Sequence, residues 1–106
     1  MKLDILAFGA HPDDVELGAA ATIAKEISLG KKVGIIDLTQ GELGTRGSKE
    51  LRKVEASNAA AILGVTVREN LKFADGFFIN DKEHQLEVIK SIRKYKPEIV
   101  LCNAVD

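Results

Sequence analysis

Apolar residues fall into four short continuous runs, separated by longer stretches in which they recur every three or four positions. The first run, Leu3 to Phe8, has the length and composition of a buried strand. Val15 to Leu29 then reads as a helix: Ile23 and Ile27, with alanines at 19, 20, 21 and 24, give a small-residue face able to lie close on a sheet, and Gly30 suits the position just past its end. Val33 to Leu38 repeats the buried-strand pattern around the β-branched pair Ile35 and Ile36. Gln40 to Gly47 carries three glycines and predicts a loop. Ser48 is a natural N-cap for a helix to about Leu63, with Leu51, Val54, Ala61 and Ile62 as its expected buried stripe and Gly64 as its stop. Asn70 to Phe73 predicts a short third strand. A loop from Ala74 to Asp81 follows, holding Asp75-Gly76 and two exposed phenylalanines, Phe77 and Phe78. Glu83 to Tyr95 predicts a third helix with Leu86, Ile89 and Ile92 inward, ended by Pro97. Glu98 to Asn103 is the fourth strand.

Strand and helix alternate with short connections and without internal repeats. That order predicts an α/β fold, a Rossmann-like three-layer α/β/α arrangement with a mostly parallel sheet and right-handed crossovers. Neither G-x-G-x-x-G nor G-x-x-x-x-G-K-[ST] occurs, so dinucleotide and phosphate-loop chemistry are disfavoured. At 106 residues the chain is one domain or a piece of one. Its 45% hydrophobic and 29% charged content is that of an ordinary globular protein, and a net charge of −1 gives no footprint for nucleic acid or an anionic membrane. No apolar run reaches the roughly 20 residues of a membrane span. The lone Cys102 allows no intrachain disulfide, and no signal-peptide pattern opens the chain, so the cytoplasm is the expected compartment.

The chemistry concentrates where the first strand gives way to the first helix, in Phe8-Gly9-Ala10-His11-Pro12-Asp13-Asp14-Val15-Glu16-Leu17-Gly18. In a parallel sheet this crossing point, at a strand's carboxyl end, is where ligands bind. An imidazole and a carboxylate three residues apart make a reasonable ligand pair for a divalent metal, with a third ligand to be found. The same residues also read as helix-start chemistry. Asp13 can serve as N-cap with Glu16 as its capping-box partner, Asp14 can complement the helix dipole, and His11 can be a turn histidine. Spacing alone leaves both readings open.

Ala10-His11-Pro12-Asp13-Asp14 resembles the signature of the LmbE-like (PIG-L) zinc-dependent N-acetylglucosamine deacetylases. Asp37-Leu38-Thr39-Gln40-Gly41-Glu42-Leu43-Gly44-Thr45-Arg46-Gly47 and Glu50-Leu51-Arg52-Lys53-Val54-Glu55-Ala56 resemble the branch that makes bacillithiol. The resemblance runs through essentially the whole chain. It implies that residues 1–106 form the amino-terminal part of a single deacetylase domain. It implies His11 and Asp14 as ligands of Zn2+ or another divalent metal, and Asp13 as general base. Glu42, Arg52 and Asp75 are implied as contacts to a small-molecule sugar substrate. An i, i+3 pair with Glu55 is expected to hold Arg52.

The third ligand of the family is a histidine from a His-Pro-Asp-His-like segment after the fourth strand, and the sequence reaches Asp106 without one. The 106 residues taken alone are therefore expected to hold metal weakly and to be a crippled enzyme. His84 is expected as a solvated surface histidine at the wrong end of the sheet. Cys102 is expected at the correct end, as a small buried residue. The resemblance implies a hydrolase that deacetylates an N-acetylglucosaminyl compound, with N-acetylglucosaminyl malate the best guess. Another conjugate, such as a chitooligosaccharide, is the alternative substrate, and a non-catalytic Rossmann-like binding module is the rival of a different class. Similar enzymes are often oligomers, so a homo-oligomer is expected of the full-length form.

Overall fold

The computed structural model describes residues 2–41, 48–74 and 81–102. Strands β1 (Ile5–Gly9), β2 (Val33–Thr39), β3 (Val67–Phe73) and β4 (Ile99–Leu101) alternate with helices α1 (Asp14–Ser28), α2 (Lys49–Leu63) and α3 (Lys82–Tyr95). All pairings are parallel, in the order β3-β2-β1-β4. The first two crossovers step the same way along the sheet and the third steps back past β1. Right-handed connections then put α1 and α2 on one face and α3 on the other. Side-chain packing agrees. Ile5, Ala7, Val33 and Ile35 bury against Val15 and Ile23 of α1. Leu6, Phe8 and Ile36 bury with Leu3 and Tyr95, joined by Val88 and Ile92 of α3.

The expected α/β layering is present, with local differences that have physical causes. Ser48 caps α2 as expected, accepting from the Leu51 N–H, and Gly64 closes it at φ +80°. The buried face of α2, however, is Ala56 and Ala60, while Leu51, Val54 and Ile62 are 48%, 56% and 85% exposed. Small residues let the helix lie close, which turns the larger side chains outward. On α3 the inward residues are Val88, Ser91, Ile92 and Tyr95, leaving Leu86 and Ile89 partly exposed. β3 starts at Val67 rather than Asn70, because Arg68, a charged residue, finds a buried partner, Asp37, on the neighbouring strand.

β1 has neighbours reached in opposite directions, β2 on one side and β4 on the other. This switch point opens a crevice at the carboxyl ends of β1 and β4. The residues from Gly9 to Asp14 lie at that edge.

Candidate active site

Gly9 ends β1 so close to α1 that a Cβ there would sit 3.1 Å from both Asp14 Cβ and Val15 Cγ2. The turn that follows is tied to β2: the buried Thr39 donates to the Ala10 carbonyl from its N–H at 3.0 Å and its hydroxyl at 2.9 Å. Within the turn the His11 N–H donates to Asp14 Oδ2 at 3.0 Å, and His11 Nδ1 lies 3.5 Å from that oxygen. Two zinc ligands at about 2.0–2.1 Å in tetrahedral geometry stand roughly 3.4 Å apart, so this imidazole–carboxylate pair fits one edge of such a site. Among the described residues no third His, Cys, Asp or Glu completes a cluster able to hold the ion.

Asp13 stands where an N-cap would, but its carboxylate makes no cap hydrogen bond and its backbone is left-handed, at φ +91°. For a non-glycine residue that conformation costs of order 1–3 kcal/mol and persists only where the surroundings enforce it. The capping-box alternative is therefore not the one realised. Asp13 instead turns onto a cavity of about 480 Å³ whose wall includes Glu16, Arg52 and Glu55. Partial burial there, with the negative charge of Asp14, raises the Asp13 carboxyl above its ordinary value, against the opposing pull of Arg52. Asp14 lines a different space, a crevice of about 250 Å³ shared with Phe8, Leu101 and Cys102 at the switch point. The two adjacent carboxylates thus line different stretches of surface at the same end of the sheet.

Arg52 shares the cavity with Asp13. Its side chain lies along Gly41 rather than in an ion pair with Glu55, and a Cβ on that glycine would come within 2.9 Å of Arg52 Cδ and Nη1. Glu42 and Asp75 lie outside the described residues, as do Phe77 and Phe78. Cys102 is at the expected end of the sheet but exposed rather than buried.

His84 corrects its expectation on two points. The start of α3 follows the carboxyl end of β3, so His84 is on the same edge of the sheet as His11, although two strands away from β1. Nor is it simply solvated: Nδ1 is 2.6 Å from Asp81 Oδ1, and its ring packs edge-on against Phe73 at 4.5 Å.

Sequence reasoning missed a buried ionic group beneath the site. Asp37 of β2 is 2% exposed and receives both Nε (2.8 Å) and Nη2 (2.9 Å) of Arg68. Nη2 also lies 3.2 Å from Glu16 Oε1 on α1. Burial pushes the Asp37 carboxyl up, with the Arg68 hydrogen bonds working against that rise. For Arg68, burial opposes the charge, but Asp37 and Glu16 outweigh it and raise its value further. The signal available in the sequence was the carboxylate in the run Val33–Leu38, which a buried strand tolerates only with a partner.

Residues 6–105 match the PIG-L family, described as GlcNAc-PI de-N-acetylase. The chain is 44% identical over 71 residues to the uncharacterized deacetylase YaiS of Escherichia coli K12, covering 67% of this chain and 38% of that protein. It is 35% identical over 104 residues to the diacetylchitobiose deacetylase of Thermococcus kodakarensis, covering 92% and 39%. The crystal structure of the conserved protein TT1542 from Thermus thermophilus superimposes with a TM-score of 0.87 at 41% identity, covering 92% of this chain and 44% of that one. The chain therefore spans about two fifths of the length of these relatives. With the histidine–aspartate turn at the carboxyl edge of a parallel sheet, these matches show that the chain belongs to the PIG-L family of deacetylases.

Proposed function

We propose that this chain is the amino-terminal part of a metal-dependent hydrolase that removes the acetyl group from an N-acetylglucosaminyl compound. The observation that carries the reading is the division of the two adjacent carboxylates. Asp14 is tied to His11 by a 3.0 Å hydrogen bond from its N–H, while Asp13 is turned away at φ +91°. His11 and Asp14 would hold the ion, zinc or another divalent metal. When bound, that ion polarises the acetyl carbonyl and favours ionisation of water. Asp13 stays off the ion and is left to take the proton of the attacking water at its carboxylate. A ligand bound in the 480 Å³ cavity beside Asp13 would also meet Arg52, whose guanidinium suits a carboxylate or sugar hydroxyl. Glu42 and Asp75 are proposed as further sugar contacts.

N-acetylglucosaminyl malate, the bacillithiol precursor, is the proposed substrate, since Arg52 offers a cation to the malate carboxylates. A chitooligosaccharide is the second reading, supported by similarity to a diacetylchitobiose deacetylase. The rival non-catalytic module needs Asp13 as a helix cap, and Asp13 makes no such bond. Among the described residues no helix is long and apolar enough to cross a membrane. A homo-oligomer in the cytoplasm is the proposed working form.

The test is free-amine release by the zinc-loaded full-length protein from N-acetylglucosaminyl malate and, separately, from N,N′-diacetylchitobiose. Preference for the malate conjugate supports the first reading, and preference for the disaccharide the second. Release from neither, together with no divalent ion by metal analysis, returns the chain to the binding-module class.

A further inference from the structure

The ionic group beneath the site does something a hydrophobic core would not. A buried ion pair is expensive to desolvate, and apolar residues of similar volume serve stability as well or better. What the charges add is direction. The planar fork of Arg68 grips Asp37 with two hydrogen bonds, at 2.8 and 2.9 Å, and so fixes the guanidinium against Asp37. From that fixed point Nη2 reaches Glu16 at 3.2 Å, between side chains only 10% and 18% exposed. Glu16 Oε1 is buried, and the guanidinium 3.2 Å away is the partner that ties α1 to β3.

Glu16 stands in the first turn of α1, two residues from Asp14. Asp37 pairs in register with Gly9, the last residue of β1 before the turn. The segment from Ala10 to Glu16 is therefore held at both ends: by Thr39 at the Ala10 carbonyl, and by Arg68 at Glu16. Between the two anchors lies the left-handed Asp13, a conformation that has to be imposed. We propose that Arg68 is a positioning residue, acting through Glu16 to hold the turn in which His11 and Asp14 share a metal ion. The inference rests on the hydrolase reading given above and adds to it a remote residue on β3.

Zinc titration of the full-length protein, followed calorimetrically beside thermal unfolding, tests this. Glu16→Ala leaves the Arg68–Asp37 pair intact and cuts only the link to α1. It should fold and bind zinc about 10-fold or more weakly, the range typical for losing a group that orients a ligand. Glu16→Gln keeps an oxygen within reach of Arg68 and should recover affinity to within a few-fold of wild type. Arg68→Lys, which retains charge but not the fork, should weaken binding like Glu16→Ala. Should the lysine variant fail to fold, the two Glu16 variants decide. Wild-type affinity in Glu16→Ala overturns the positioning role, and so does a glutamine variant as weak as the alanine one, since the effect would then be helix-dipole charge. Absence of zinc binding in the wild type overturns the hydrolase reading itself, a separable result.

Discussion

A single oxygen of Asp14 faces both the N–H of His11, at 3.0 Å, and its Nδ1, at 3.5 Å, while the carboxylate of Asp13 next to it makes no cap bond to the helix. On the proposed reading, this asymmetry separates holding an ion from moving a proton. His11→Ala and Asp14→Ala in the full-length protein should lose bound zinc. Asp13→Asn should keep the metal and lose turnover by roughly 10²–10⁴-fold, the usual worth of a positioned base. Metal content and amine release, measured on the same preparations, check both halves. If Asp13→Asn lost the metal and Asp14→Ala kept it, the roles would be reversed.

Arg52 lies against Gly41, and the pair makes a second prediction. Arg52→Ala should impair hydrolysis of a carboxylate-bearing conjugate by roughly 10-fold or more, as loss of a charge-assisted pair would, and impair bare N-acetylglucosamine less. Gly41→Ala should mimic it, because the new methyl would stand 2.9 Å from Arg52 Cδ and Nη1 on a backbone at φ +69°. Comparison of kcat/KM on the two substrates is the measurement. Equal losses on both would make Arg52 a support for the fold.

How far these features were legible depended on whether they were local. β1 and β2 are continuous apolar runs bounded by breakers, and the caps Ser48 and Gly64 act on their own helix, so all were readable in sequence. The buried stripe of α2 was not. Choosing Leu51, Val54 and Ile62 over Ala56 and Ala60 assumes that the largest apolar side chains go inside, which fails where a helix must lie close to its neighbours. Arg68 looked like loop sequence because its partners, Asp37 and Glu16, are 31 and 52 positions away. The resemblance supplied roles for the two carboxylates of the histidine–aspartate motif, but the left-handed backbone of Asp13, at φ +91°, has no local sequence signal.

Packing in the sheet gives a prediction about stability. A Cβ on Gly34 would sit 2.5 Å from Leu3 Cδ1 and 3.2 Å from Leu6 Cδ1, and both leucines are fully buried. Gly34→Ala should therefore cost about 1–3 kcal/mol through overpacking. Gly18→Ala is the control. Its Cβ would meet nothing within 4 Å on α1, so the substitution should stabilise by about 0.5–1 kcal/mol. Denaturant midpoints of the two variants should move in opposite directions from wild type, and a shared direction would contradict the packing argument.

The start of α3 carries a pH dependence whose sign follows from geometry. Asp81 Oδ1 accepts the backbone N–H of His84 at 2.9 Å and lies 2.6 Å from His84 Nδ1. The backbone bond first, and the His84 side chain second, hold the Asp81 carboxyl below its ordinary value of 3.8. A carboxyl lowered in the folded state binds protons less readily there than in the unfolded chain, so its contribution to stability is present above the unfolded value. That contribution fades as pH falls through the ordinary carboxylate range toward the lower folded value. Asparagine caps a helix about as well as aspartate but does not titrate. Asp81→Asn should thus melt slightly below wild type near neutral pH, lacking the ionised contribution, yet lose less on acidification below about pH 4, where free aspartate takes up its proton. Melting temperatures of both proteins across that range are the measurement. Parallel curves would show that ionisation of Asp81 adds nothing to the cap, whereas convergence at low pH would locate the acid sensitivity of α3 in this one side chain.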